Sequence, residues 1–145
     1  MSSEKELEIR EIDLRDAIFS AITLAQAEIS KIRIGAAVLA INSKGDSSIF
    51  SGCNIEISFS RAFHAENVAL LKAISSGYTN IKAVAITSDS ETKQGVAMCG
   101  CCRQDYMHLN PDCMIYVFNP DKSLELKVKL IDTMKYPYLS KGMIK

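Results

Sequence analysis

Ile34-Gly35-Ala36-Ala37-Val38-Leu39-Ala40-Ile41 runs for eight residues without a polar side chain. A strand with one face in water alternates apolar and polar residues, whereas a strand covered on both faces need not. The stretch is therefore expected to be a strand buried on both sides. After it, residues 42–47, with Gly45 among them, read as a hairpin turn. Ile49, Phe50 and Ser51 then begin a second strand that runs on towards Ile55. Before it, residues 4–28 read as one amphipathic helix, because Ile18, Ala21, Ile22, Ala25 and Ile29 recur at helical spacing.

Further along, residues 65–76 are expected to form a helix packing Val68, Leu71 and Ala69, with Gly77 as its stop. Residues 81–87 read as a third strand and residues 88–95 as a polar loop. The next helix should start near Gly100 or Cys101 and end near Asn110-Pro111. Met114-Ile115-Tyr116-Val117-Phe118 reads as a fourth strand, closed by Asn119-Pro120, and residues 124–128 as a short fifth strand at an edge. Residues 130–145 read as a helical turn and an irregular end carrying Tyr136, Pro137 and Tyr138. Strands alternating with helices indicate a layered α/β domain. No linker, repeat or low-complexity segment interrupts it, so residues 1–145 are expected to form one domain.

The composition narrows the classes of function. Apolar residues make up 48% of the 145 and charged residues 23%, ordinary values for a globular protein. The mean hydropathy of +0.07 is slightly high for so small a chain and hints at surface hidden between subunits. Lys plus Arg equals Asp plus Glu at 17 each, so no net positive field exists to hold DNA or RNA. No apolar run approaches the roughly 20 residues of a membrane span. The polar N-terminus lacks the apolar core of a signal peptide, so a cytoplasmic location is expected, with thiols kept reduced. The five cysteines then need a reading other than disulfides, and three of them, Cys99, Cys101 and Cys102, fall within four residues.

Two short segments carry the chemistry, each at the expected start of a helix: His64-Ala65-Glu66 and Cys99-Gly100-Cys101-Cys102. A C-x-x-C pair sets two thiolates on one side of a turn, within reach of one tetrahedral ion, and His64 supplies a third ligand from another element. Three protein ligands leave the fourth position open for water, as in catalytic zinc sites, where the water's pKa falls towards ~7. Glu66, two residues after the ligand, is placed to take that water's proton and pass it on. Helix N-termini favour anionic thiolates. One imidazole and two thiolates balance a divalent zinc. No neutralising cation follows Glu66, where Asn67 stands, although Arg103 beside Cys102 is placed to steady a thiolate. Taken singly, a C-x-x-C is also a redox pair or half a structural zinc ribbon, and Glu66 a dipole-favoured helix start. Cys53 and Cys113 stand alone and complete no four-cysteine site. The joint pattern H-x-E followed by C-x-x-C is that of the zinc nucleobase deaminases, with Met98 where that pattern has proline.

The chain resembles the short, homotetrameric cytidine deaminases, with blasticidin-S deaminases as near neighbours. The resemblance runs from about Asp13 to Tyr138. Ser30-Lys31-Ile32-Arg33-Ile34-Gly35-Ala36-Ala37 is similar to the family's Y-S-x-F-x-V-G-A-A, and Gly52-Cys53-Asn54-Ile55-Glu56 to its G-x-N-x-E. Cys99-Gly100-Cys101-Cys102-Arg103-Gln104 matches C-G-x-C-R-Q. The resemblance implies a three-layer α/β/α fold around a central mixed five-stranded sheet, and a homotetramer. It implies one zinc ion per chain on His64, Cys99 and Cys102, with Glu66 as the catalytic proton shuttle and Cys101 a bystander. Asn54 and Glu56 would hydrogen-bond the ribose 3′-hydroxyl, and Ala65 would offer its backbone to the pyrimidine. Arg103 and Gln104 would support the metal site from behind.

Ile32 stands where the family has a Phe that packs on the base, which forfeits stacking or changes which base is preferred, and the resemblance implies a further aromatic after the substrate motif, supplied by Phe59 or Phe63. The implied function is hydrolytic deamination of cytidine or deoxycytidine in pyrimidine salvage, on a small-molecule nucleoside and not on nucleic acid. Two alternatives follow from the departures: a deaminase of a cytosine-containing antibiotic or modified nucleoside, and a catalytically silent zinc-stabilised nucleoside binder. Glu56 argues against the blasticidin branch, and an intact Glu66 against the silent binder.

Overall fold

The computed structural model describes residues 4–90 and 97–139. Helix α1 (Glu4–Ala21) leads through a 3-10 turn (Ile22–Leu24) into strands β1 (Ile34–Ile41) and β2 (Ser47–Cys53). Strands β3 (Ile55–Ser58) and β4 (Arg61–Phe63) precede helix α2 (Ala65–Ser75) and strand β5 (Asn80–Ser88). Helix α3 (Gly100–Leu109), strands β6 (Met114–Phe118) and β7 (Leu124–Lys129), and a 3-10 turn (Leu130–Thr133) complete the order.

Five strands form one mixed sheet in the order β2-β1-β5-β6-β7. β1 runs antiparallel to both β2 and β5, β5 parallel to β6, and β7 closes the edge antiparallel to β6. The all-apolar β1 lies one strand in from an edge, and its residues 35–40 are buried, as a strand covered on both faces must be. Its alternate residues face different layers. Ala37 and Leu39 join Ala83, Ala85, Tyr116 and Phe118 under Leu14 and Ile18 of α1. Val38 and Ala40 join Val84, Ile86, Ile115 and Val117 under Ala69, Leu70, Ala73, Tyr106 and Met107 of α2 and α3. The result is the expected three-layer α/β/α arrangement.

Two glycines set how closely the helices approach. A Cβ on Gly35 would stand 2.2 Å from the Ile18 carbonyl oxygen of α1, and one on Gly52 would stand 2.7 Å from Ala69 N and 2.9 Å from Ala65 O of α2. Both glycines belong to the motifs quoted above, and their role in the fold is close packing of helix backbone on strand.

The chain departs from the sequence reading in three places. The first helix ends at Ala21 rather than near residue 28. Ala25 is extended, and Gln26 pairs instead with the backbone on either side of Ile55: its N–H donates to Asn54 O, and Glu56 N–H donates to its carbonyl. In α2 the inward face is Ala69, Leu70 and Ala73, while Leu71 is 58% exposed. Small alanines let that helix sit close to the sheet, which turns the expected register by one residue. The second strand does not continue to Ile55. It breaks at Asn54, and β3 and β4 form a separate two-stranded hairpin. Gly77, with a φ of 86°, closes the α2 segment as expected. Part of the expected polar loop at 88–95 and the end of the tail lie outside the described residues.

Candidate metal centre and substrate cleft

The metal centre is built where two helix N-termini meet. His64 is the residue that enters α2 and Cys99 the one that enters α3, and both are extended in backbone. The Cys99 sulfur accepts a hydrogen bond from Cys102 N–H at 3.4 Å, capping α3 and fixing the two sulfurs about one turn. His64 Nδ1 lies 3.3 Å from Cys99 Sγ and 3.3 Å from Cys102 Sγ, and the three ligand atoms all lie within 4.8 Å of one another. Tetrahedral zinc with its usual bond lengths spaces such donors by roughly 3.5–3.8 Å, so the set fits with shifts of a few tenths of an ångström.

The electrostatics fit the same ion. Burial pushes the Cys102 thiol far above its usual range, and the nearby Glu66 carboxylate pushes it in the same direction. Such a sulfur ionises only with a cation beside it, and zinc is that cation. Cys101 is exposed and takes no part in the ligand group, while Cys53 and Cys113 are also unpaired. Zinc is therefore the cofactor that fits here, with His64, Cys99 and Cys102 positioned to hold it.

Glu66 sits in the first turn of α2, buried, with Oε2 accepting from Cys102 Sγ at 3.6 Å. Burial raises its pKa, opposed by its own backbone N–H and by the nearby His64. Tyr106, wholly buried on α3, donates from its hydroxyl to Glu66 O at 2.7 Å. Asn67 Nδ2 donates to Asp105 at 3.1 Å. These two bonds brace the helix carrying His64 and Glu66 against the helix carrying the thiols, and the sequence reading did not anticipate either. Met98, where the pattern has proline, is buried in the core beside Cys102 and Tyr106. Packing thus anchors the approach to Cys99 that a proline ring would otherwise stiffen.

A cleft of about 330 Å³ opens from the metal centre, bounded at that end by His64, Glu66 and Cys99. Ile32, Ile34, Phe63, Ala62 and Ala97 form its apolar walls, and Ser30, Asn54 and Glu56 lie at its polar end. Phe63 settles the choice of aromatic, because Phe59 is 95% exposed at the hairpin tip and does not line the cleft. The Arg61 guanidinium stacks over the Phe63 ring, 5.6 Å from its centroid.

Asn54 and Glu56 reach the cleft, though not as neighbours on one strand. Asn54 Oδ1 accepts from Ile34 N–H at 2.9 Å and its Nδ2 donates to Ile32 O at 2.8 Å. The amide thereby replaces a backbone partner for β1, which is why the chain leaves the sheet here. One N–H of the amide remains for a ligand. Glu56 sits on β3 and accepts from Ser30. Ala65 is fully buried with its carbonyl beside Gly52, leaving its N–H, in the first turn of α2, without an intrahelical partner.

Arg103 and Gln104 also tie down the C-terminal segment. Arg103 donates to Thr133 O at 2.8 Å, and Gln104 exchanges hydrogen bonds with the backbone of Tyr138. They bind the C-terminal segment to α3, and these hydrogen bonds do not reach the thiols. Sequence offered no signal for Ala62 or Ala97, whose places in the cleft come from the hairpin and from the approach to α3.

Comparison with known proteins agrees with this geometry. The family described as the cytidine and deoxycytidylate deaminase zinc-binding region matches residues 13–118. A cytidine deaminase of Halalkalibacterium halodurans is 37% identical over 112 residues, covering 76% of this chain and 80% of the relative. One from Sporosarcina psychrophila is 43% identical over 81 residues, and that match spans 55% of each chain, about half the relative's length. The crystal structure of cytidine deaminase from Burkholderia pseudomallei superposes with a TM-score of 0.74 at 26% identity, over 88% of this chain and 98% of that one. With matching sequence and fold, and a His/Cys/Cys group positioned to hold the metal, this chain belongs to the cytidine and deoxycytidylate deaminase family and is a zinc-dependent deaminase.

Proposed function

We propose that the protein hydrolyses the exocyclic amino group of free cytidine or deoxycytidine, giving the uridine nucleoside and ammonia. The observation that carries this reading is that His64, Cys99 and Glu66 line the same cleft as Asn54 and Glu56, with Cys102 completing the ligand group beside it. Zinc, when bound, supplies a water made acidic enough to react near neutral pH. Glu66 takes the first proton of the attacking water and delivers it to the pyrimidine ring nitrogen; it then takes the second proton from the hydroxyl just added to the ring carbon and gives it to the leaving amine, which departs as ammonia. The burial of Glu66 raises its pKa above the usual carboxyl range, which suits a carboxylate that must both accept and release a proton. The Ala65 N–H binds the pyrimidine edge, while Phe63 and Ile32 sandwich the base. Asn54 and Glu56 bind the 3′-hydroxyl, Asn54 with its remaining N–H and Glu56 as acceptor.

On this reading the chain acts as one domain, in a homotetramer, in cytoplasmic pyrimidine salvage. The free cysteines agree with a reducing compartment. Among the described residues no helix is long and apolar enough to cross a membrane. A second reading, a cytosine-containing antibiotic or modified nucleoside as substrate, is favoured by Ile32: it lines the cleft, is 42% exposed, and leaves more room than an aromatic.

Ammonia release from cytidine, deoxycytidine and a panel of modified cytosine nucleosides tests both. Glu66→Gln is expected to keep one zinc per chain and to lose roughly 10²–10⁴-fold in kcat. Zinc-loaded wild type that releases ammonia from no member of the panel refutes the proposal. Turnover of modified substrates alone selects the second reading.

A further inference from the structure

Glu56 faces the cleft, but one neighbouring residue holds both its oxygens. Ser30 N–H donates to Oε2 at 2.9 Å and the Ser30 hydroxyl donates to Oε1 at 2.5 Å. The same hydroxyl accepts from Ile32 N–H at 3.2 Å, which leaves its proton for the carboxylate. The loop is shaped for this. Lys31 has a φ of 61°, a left-handed conformation uncommon outside glycine, and its N–H closes back on Ala27 O at 2.9 Å. Gln26 exchanges backbone hydrogen bonds on either side of Ile55, at 3.0 Å and 2.8 Å. The loop before β1 and the start of β3 are thus one hydrogen-bonded unit, with Ser30 at its cleft end.

We propose that Ser30 is the positioning residue for the Glu56 carboxylate and, through it, sets selectivity for nucleosides that carry a 3′-hydroxyl. The proposal deepens the nucleoside reading above and rests on it. A carboxylate has about four acceptor positions. With two of them fixed by Ser30, the others are held in one direction, into the cleft. A fixed acceptor, cut off from water once a nucleoside fills the cleft, discriminates against a sugar lacking the hydroxyl more sharply than a mobile one, which can turn back to water. The Ser30 hydroxyl also holds the Glu56 carboxyl below the usual range. Desolvation opposes it, and the Ser30 and Ile29 backbone N–H groups and the Lys31 charge act with it. The other charged groups on neighbouring elements are Arg61, which stacks on Phe63, and His64 and Glu66 across the cleft. Lys31 is itself paired with Glu28 at 3.1 Å.

The test compares wild type, Ser30→Ala and Ser30→Thr, zinc-loaded, on cytidine and 3′-deoxycytidine, and follows Glu56 titration by carboxyl-carbon NMR. Ser30→Ala should raise KM for cytidine about tenfold with kcat little changed, the loss of one hydrogen bond to a charged group. Its KM for 3′-deoxycytidine should match wild type, and its Glu56 should titrate at higher pH. Ser30→Thr keeps the hydroxyl and should restore both readouts. An equal loss on the two nucleosides, or no loss on either, overturns the proposal. The NMR readout needs no turnover. If wild type deaminates no nucleoside, the function above fails, and a Glu56 titration unchanged in Ser30→Ala separately overturns the clamp.

Discussion

Gly52→Ala tests whether the metal centre depends on how closely α2 lies on β2. The added Cβ would stand 2.7 Å from Ala69 N, 2.9 Å from Ala65 O and 2.9 Å from the Val68 Cβ, where ordinary contact begins at 3.4 Å. Two of the three are backbone atoms of a helix and cannot turn aside, so relief requires α2 to retreat by about 0.5–0.7 Å. Overpacking of this kind costs about 1–3 kcal/mol, or a melting temperature lower by roughly 3–10 °C for a chain of this size. The larger consequence falls on the zinc. His64 enters α2 while both thiols belong to the α3 segment, so a retreat directed away from α3 carries the 3.3 Å donor separations to about 3.8–4.0 Å, to or beyond the far end of the roughly 3.5–3.8 Å that tetrahedral zinc spans. Metal sites tolerate displacements of about 0.2 Å, and a misplaced catalytic group costs up to ~10²-fold in rate. Gly52→Ala should therefore fold, melt earlier and release zinc to a chelator more readily than wild type. Calorimetry and chelator competition check the two parts. A variant that melts lower yet holds zinc as tightly as wild type would show that the sheet–helix contact does not position the ligands, and would refute the reasoning.

Two further outcomes follow from buried groups. Tyr106→Phe removes the 2.7 Å bond to Glu66 O and should cost about 1–1.5 kcal/mol, seen as a melting temperature about 3–5 °C lower. An unchanged melting temperature would show that the two helices do not rely on this brace. Burial pushes the Cys113 thiol up from 9.0 to about 12, so between those values the unfolded chain gives up a proton that the folded one keeps. Its stabilising contribution is complete below 9.0 and is lost as pH rises towards 12, by about 2 kcal/mol at pH ~10.5. Chemical denaturation of wild type and Cys113→Ala between about pH 8 and 10.5 should show a shallower decline in the variant. Parallel curves would mean that the thiol is not held neutral by burial.

Much of the site was legible because its chemistry is local. Cys99 and Cys102 lie three residues apart, and Glu66 two residues after His64, so short-range helix geometry alone brings each pair to one side of a turn. The β1 run likewise announced its two-sided burial by lacking polar residues. Where the chain changes direction was not legible. The strand breaks at Asn54 because its amide bonds to Ile34 and Ile32, twenty and twenty-two residues away in sequence. The first helix stops at Ala21 although the apolar spacing continues, because Gln26 is taken up by backbone beside Ile55.

The choice between Phe59 and Phe63 followed from the resulting hairpin, which puts one aromatic in the cleft and the other at its tip. The hydrogen bonds of Arg103 and Gln104 to the C-terminal segment had no signal in the sequence, because they join residues about thirty positions apart. Sequence by itself pointed to the candidate donor set, the acidic residue beside it and the layered class, since these depend on residue type and on spacings within a turn or a strand. The tertiary structure decided the path between them and the orientation of Glu56, because those depend on hydrogen bonds and close contacts between segments that periodicity does not relate.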